Sequence, residues 1–204
     1  MAIIKGIYAI TPDTGDTAGL LKQVAAALAG GVTVMQYRNK SDDAGLRHYQ
    51  ASQIKQLCDL HAVPLLINDD VELALAIDAA GVHLGEHDGS LQAARLKLGP
   101  HKLLGASCYD CLPLAEQALA AGADHIAFGA VFPSSTKPAA RRATLDLIAQ
   151  ARRQLSAPIV AIGGITAENG SPVVDAGADA LAVISSLFDA ADIEQAARAL
   201  TALF

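Results

Sequence analysis

The 204-residue sequence predicts an α/β protein with a single domain spanning residues 1–204, a TIM (β/α)8 barrel. Three observations lead there. Short β-branched apolar runs alternate with Ala- and Leu-rich segments of helical periodicity along the whole chain. Eight such pairs fit at about 25 residues each, a compact version of the barrel repeat. The composition is 52% hydrophobic, 18% charged and only 4% aromatic, without tryptophan, which suits helices packed on buried strands better than an aromatic-rich sandwich.

The elements follow in order. The expected strands are Ile3–Ile10, Val32–Tyr37, Pro64–Ile67, Gly81–Leu84, Leu103–Ala106, His125–Phe128, Ile159–Ile162 and Ala180–Ile184. The expected helices are Thr17–Ala29, Asp43–Leu60, Val71–Ala79, Ser90–Leu98, Leu112–Ala120, Thr144–Gln154, Ser171–Ala176 and Ile193–Leu203. Gly30-Gly31, Ala80-Gly81, Ala121-Gly122 and Ala176-Gly177 each close a helix just before an even-numbered strand. No Gly-, Ser- or Pro-rich linker divides the chain. A doubly wound open sheet is the rival architecture, but the stretch after the first strand, TPDTGDTAG, lacks the G-x-G-x-x-G of that fold.

The formal net charge is −6, from 15 basic and 21 acidic residues, and no basic run interrupts it. Nucleic acid is therefore a poor partner, while a local cationic pocket remains open. No apolar stretch is long enough to span a bilayer, and MAIIKGIYAIT does not read as a signal peptide. Cys58, Cys108 and Cys111 form no disulfide framework. The expectation is a soluble cytoplasmic protein with small-molecule ligands, no membrane partner, and a homo-oligomer left open.

In a barrel of this kind the chemistry sits at the C-terminal ends of the strands. Strand two ends in Gln36-Tyr37-Arg38-Asn39-Lys40, where alternation points Gln36, Arg38 and Lys40 one way. Strand three runs into Asn68-Asp69-Asp70 and strand four into Glu86-His87-Asp88. A carboxylate from each of two adjacent strands can share a hard cation such as Mg²⁺, though an aspartate here also serves as a helix cap. Strand five offers Ser107, and the loop after strand six carries Ser134-Ser135-Thr136-Lys137. Gly163-Gly164 and Ser185-Ser186 close strands seven and eight, the usual phosphate cradle of this barrel. Together these strand ends imply a ligand with two separate phosphate groups.

Other groups read as structural. Cys108 and Cys111 lack the context of a redox or zinc site. His83 and His125 suit packing or capping, and His48, His61 and His101 suit the surface. Arg141, Arg142, Arg152 and Arg153 read as solvated helix charges.

The same residues carry a resemblance to the thiamine-phosphate synthase family, also called thiamine-phosphate pyrophosphorylase. It runs from Gly6-Ile7-Tyr8-Ala9-Ile10-Thr11 to Ile184-Ser185-Ser186. Its most specific stretches are Gln36–Lys40, Ile67–Asp70 through Gly81–Gly85 to Asp88, Phe132–Lys137 and Ile162–Ile165. The resemblance implies a transferase joining 4-amino-2-methyl-5-hydroxymethylpyrimidine diphosphate to 4-methyl-5-(2-hydroxyethyl)thiazole phosphate, giving thiamine phosphate and pyrophosphate. It assigns Gln36, Arg38, Lys40, Asn68, Ser107 and Lys137 to the pyrimidine diphosphate, with Tyr37 and Asn39 carried along in the same segment. Arg38, Lys40, Ser107 and Lys137 are the implied catalytic residues, and Asp69 and Asp88 the implied Mg²⁺ ligands. Ser134, Ser135, Thr136, Gly164, Ile184 and Ser185 fall to the thiazole phosphate. The implied chemistry is dissociative loss of pyrophosphate. Mg²⁺ and three cations supply about +5, less about 2 for the carboxylates, against roughly −3 on the leaving group. A thiazole tautomerase-like paralogue and a non-catalytic thiamine-precursor sensor are the alternatives; the carboxylates and cations argue against the first, and Mg²⁺-dependent turnover would exclude the second.

Overall fold

A computed structural model describes residues 4–133 and 142–204. Eight parallel strands close into a barrel in sequence order, with the last pairing to the first. They are β1 (Gly6–Ile10), β2 (Val34–Tyr37), β3 (Leu65–Asn68), β4 (Gly81–Leu84), β5 (Leu103–Tyr109), β6 (His125–Gly129), β7 (Ile159–Ile162) and β8 (Ala180–Val183). Around them lie α1 (Thr17–Ala29), α2 (Ala44–Leu60), α3 (Val71–Ala76), α4 (Leu91–Leu98), α5 (Leu112–Ala120), α6 (Leu145–Gln154), α7 (Ser171–Asp175), α8 (Ser185–Phe188) and α9 (Ile193–Thr201). The closed barrel expected from the sequence is the one observed, and the open-sheet alternative is excluded.

Boundaries moved where backbone geometry overrode apolar pattern. β1 starts at Gly6, whose φ of 86° turns the chain into the strand. β5 runs on to Tyr109, beyond the expected Ala106, because its register to β6 shifts between Ser107 and Tyr109 and re-aims the strand end. The one-turn helix α8 directly follows β8, and four residues are too few to show a period. Helix starts follow side-chain caps: Asp16, Asp43, Asp70, Ser90, Thr144 and Asp192 each accept a hydrogen bond from a first-turn N–H.

Alternation along each strand divides the apolar residues into two cores. Tyr8, Val34, Leu66, Leu103 and Val160 point inward and fill the barrel. Ile7, Met35, Ile67, Val82, Leu104, Ile126 and Leu181 point outward beneath the helices. Small residues, Ala127, Gly129 and Ala182, line the upper interior, so the barrel stays open at its C-terminal end.

The lower rim carries a device used twice. Arg95 on α4 donates to the carbonyls of Gly122, Gly99 and Lys102 at 3.0, 2.7 and 2.8 Å and pairs with Asp124. Asp124 also accepts from the N–H of Leu104 at 2.8 Å. Arg152 on α6 repeats the pattern, donating to the carbonyls of Leu155 and Ala157 and pairing with Asp179 at 2.8 Å, while Asp179 accepts from the N–H of Ile159 at 2.8 Å. Arg152 is therefore not the solvated helix charge expected from sequence. Arg142 likewise donates to the Val131 carbonyl at 3.0 Å. We expect Arg152→Ala to destabilise the protein by about 1–3 kcal/mol, because two carbonyls and a carboxylate lose a charged donor. A urea denaturation midpoint checks this.

Candidate active site

The open end of the barrel holds a cavity of about 750 Å³. Gln36, Arg38, Asn68 and Ser107 line one side, and Gly164, Ile184 and Ser185 the other. These are the strand ends that the sequence singled out. They come from the ends of five strands, β2, β3, β5, β7 and β8, so only barrel closure brings them together.

The cationic side is built on β2. Gln36 points inward, is almost fully buried, and donates from Nε2 to the Tyr8 hydroxyl at 2.8 Å. The next inward residue, Arg38, is anchored by its backbone. Its N–H donates to Thr11 Oγ1 at 2.9 Å, and the Thr11 hydroxyl donates back to its carbonyl at 3.0 Å. Its guanidinium pairs with Asp13, which also accepts from the N–H of Lys40 at 2.7 Å. The Lys40 ammonium pairs with Asp69.

Tyr37 and Asn39 are corrections to the candidate set. Tyr37 points outward, is buried, and donates its hydroxyl to Gln50 Oε1 at 2.9 Å. Asn39 donates from Nδ2 to the Thr14 carbonyl at 3.1 Å and to Gln50 Oε1 at 2.9 Å. Both brace α2 and the β1–α1 loop, because a strand shows alternate residues to opposite faces.

Asp69 and Asp88 meet one another; neither they nor Lys40 line the cavity, whereas their chain neighbours Asn68, Glu86 and His87 do. Asp69 has a φ of 65°, a left-handed backbone that Asp and Asn tolerate best among residues with side chains, and its N–H donates to the His83 carbonyl at 2.9 Å. That twist turns its carboxylate away from α3, leaving Asp70 to cap the helix through the N–H of Leu73 at 2.9 Å. Asp88 is held by the N–H of Gly85 at 2.8 Å. Burial, and then a side-chain contact with Asp88, push the Asp69 carboxyl above the usual range, against the pull of Lys40. Burial also raises Asp88, but the Asp69 contact and the Gly85 N–H outweigh it and its net shift is downward. The pair thus resists carrying two full charges. Two hard oxygen donors that repel one another suit a divalent cation that completes its shell with water and phosphate. Among the described residues no cluster of three or more His, Cys, Asp or Glu side chains forms a fuller metal cage.

Ser134, Ser135, Thr136 and Lys137 lie outside the described residues, so the hydroxyl- and lysine-bearing loop after β6 is not part of this geometry. Sequence reasoning passed over Asp13, Thr11 and Tyr109, and read as packing or capping His83, which lines the cavity beside Ser107. Asp13 stood in a loop tested only for a glycine-rich fingerprint. His83 could have been found from the inward parity it shares with Gly81 on β4. Tyr109 shares Ser107's parity and accepts from the N–H of Glu86 at 3.3 Å.

The fold and site define a (β/α)8-barrel protein that gathers cations and a carboxylate pair at one side of a cavity and glycine and hydroxyl groups at the other. The profile of a family described as "Thiamine monophosphate synthase" matches residues 7–187. A thiamine-phosphate synthase of Thiobacillus denitrificans is 56% identical over 98% of this chain and 94% of its own length. A second, from Aromatoleum aromaticum, is 54% identical over 98% of this chain and 97% of its own. The solved thiamine phosphate pyrophosphorylase of Pyrococcus furiosus superposes with a TM-score of 0.88 at 32% identity, covering 97% of this chain and 94% of that one. The chain belongs to the thiamine monophosphate synthase family, a family of transferases.

Proposed function

We infer that this chain joins the pyrimidine diphosphate to the thiazole phosphate, forming thiamine phosphate and releasing pyrophosphate. The observation that carries this reading is the convergence of Gln36, Arg38, Asn68 and Ser107 on one cavity, with Lys40, Asp69 and Asp88 in contact with one another on the loops after the same run of strands. The C–O bond to the diphosphate breaks, its electron pair leaves with pyrophosphate, and the thiazole nitrogen supplies the pair for the new C–N bond. No protein nucleophile is needed. The chain's task is to hold both reactants close and to stabilise charge as it builds on the leaving group.

Arg38 presents a planar fork of donors to the diphosphate, and Lys40 adds a mobile point charge. Gln36, Asn68 and Ser107 orient the pyrimidine end. Tyr8, Ile10, Ala127 and Val160 give the cavity an apolar wall for the heterocycles to pack against. Gly164, Ile184 and Ser185 hold the thiazole phosphate, together with Ser134, Ser135 and Thr136. Gly164, with a φ of 63°, lies so close to the β6 loop that an added Cβ would come within 2.3 Å of the Pro133 carbonyl. Asp69 and Asp88 would hold Mg²⁺, which supplies Lewis-acid neutralisation of the diphosphate oxygens. Lys137 completes the cationic set.

A cytoplasmic setting belongs to the same reading. The three cysteines are free thiols, in keeping with a reducing compartment, and among the described residues no helix is long and apolar enough to cross a membrane.

Purified protein incubated with both phosphorylated heterocycles should release thiamine phosphate and pyrophosphate in equal amounts when Mg²⁺ is present and not when it is chelated. Thiazole isomerisation without pyrophosphate release would support the tautomerase alternative, and binding without turnover the sensor.

A further inference from the structure

The loop after β1 brings a carboxylate to the cationic side of the site that the reaction above does not use. Residues 10–13 run beside residues 36–40 and extend the β1–β2 pairing. Ile10 is in register with Gln36, and the N–H of Thr11 donates to the Gln36 carbonyl at 3.0 Å. The Thr11 hydroxyl then bonds both backbone groups of Arg38. Asp13 makes the next contact, accepting at Oδ1 from the N–H of Lys40 at 2.7 Å. Its other oxygen, Oδ2, takes the Arg38 guanidinium. The carboxylate is thus held by backbone, whereas its partner is the end of a long side chain. The two groups also differ in place, because Arg38 lines the cavity and Asp13 does not. A bound anion in the cavity and the carboxylate beside it therefore draw on the same guanidinium.

We propose that Asp13 is a built-in competitor for Arg38: a fixed anion that holds the guanidinium in the free protein and takes it back as pyrophosphate leaves. A guanidinium paired with a carboxylate presents less charge to a diphosphate, so a ligand gains Arg38 only against the Asp13 pair. The pair is partly solvated, with the Arg38 side chain 23% and that of Asp13 43% exposed, so it is weak enough to exchange. A deeply buried pair would not let go so readily.

The consequence lies in product release. Negative charge on the leaving group is greatest once the bond has broken, so an uncontested Arg38 would grip the product hardest. Release of product limits many enzymes, and a carboxylate waiting beside Arg38 shortens that step. Asp13 is thus a positioning residue, acting through Arg38. The identity of the anion rests on the function proposed above; the competition for Arg38 does not.

The test is calorimetric titration of the full-length protein with inorganic pyrophosphate at a fixed excess of Mg²⁺. It is run on wild type, Asp13→Asn, Arg38→Ala and the double variant. Asparagine keeps an oxygen for the Lys40 N–H and loses the charge that holds Arg38. Asp13→Asn is expected to lower the Kd for pyrophosphate by about 3–10-fold. In the Arg38→Ala background the same change should gain less, by at least about 2-fold. Equal gains in the two backgrounds reduce Asp13 to a repelling charge, and an unchanged or raised Kd in Asp13→Asn makes it a brace for Arg38; either result overturns the proposal. In turnover, the inhibition constant for pyrophosphate should fall by the same factor as its Kd, while the KM for the thiazole phosphate stays unchanged. A shift in both assigns Asp13 a merely structural role and overturns the competition. Should Asp13→Asn fail to fold, Asp13→Ser decides by the same titration. Pyrophosphate binding is read without catalysis, so loss of the competition and failure to make thiamine phosphate are separate results.

Discussion

Replacing Arg38 with alanine is expected to lower kcat/KM for the pyrimidine diphosphate by about 10²–10³-fold, with most of the loss in kcat. The reason is timing of charge. The guanidinium faces the cavity from the end of β2, and its partner in the free protein is the carboxylate of Asp13. As the C–O bond breaks, negative charge builds on the diphosphate and the guanidinium becomes more valuable there than it was to the substrate. Arg38→Lys keeps the charge and loses the planar fork, so it should fall between wild type and alanine. The fold should not suffer, because the strand end is held through backbone contacts to Thr11 that the substitution leaves in place. Steady-state kinetics with each substrate varied, alongside a thermal melt, checks this. Near-normal turnover in Arg38→Ala would remove this residue from the leaving-group site.

Asp69→Asn is expected to abolish most Mg²⁺-dependent turnover, by at least about 10²-fold, while leaving stability within about 1 kcal/mol of wild type. Asparagine tolerates the left-handed backbone at this position, so the change isolates charge from conformation. The sign of the stability effect follows from linkage. A carboxyl whose proton affinity is raised on folding makes the folded protein bind a proton more tightly than the unfolded chain. Stability therefore falls as pH rises through the raised pKa, and Asp69 contributes none of the neutral-pH stability that an ordinary paired carboxylate would. Removing its charge relieves repulsion with Asp88 and costs an exposed pair with Lys40, two small effects of opposite sign. Calorimetric titration of the substrate-free protein with Mg²⁺, followed by thermal melts across the acid range, separates the two claims. Unchanged Mg²⁺ affinity would remove Asp69 from the metal site.

Much of the candidate site was legible because a strand end is a local feature. Alternation along Gln36–Lys40 separates inward Gln36 and Arg38 from outward Tyr37 and Asn39, and carrying all five residues forward blurred a distinction the period already made. The segment Asn68-Asp69-Asp70 was ambiguous for a different reason. Either aspartate can cap a helix, and the left-handed turn at Asp69 that leaves one carboxylate to Lys40 and Asp88 and the other to α3 is not marked by residue type alone. Arg152 was misread because its partners Leu155 and Ala157 sit just past the helix and Asp179 lies 27 residues away. Nothing in a helical period distinguishes such an arginine from a solvated one.

By itself the sequence determined the eightfold alternation of strand and helix, the division of apolar residues between two faces, and the polar chemistry at most of the strand ends. These depend on the neighbours a residue has within a few positions along the chain. Only the tertiary structure decided who faces whom: Asp13 with Arg38, Lys40 with Asp69, Asp69 with Asp88, and His83 with His125 across Gly105. Those encounters depend on the register between adjacent strands and on closure of the barrel. Both are set by the packing of the whole molecule, which local periodicity does not encode.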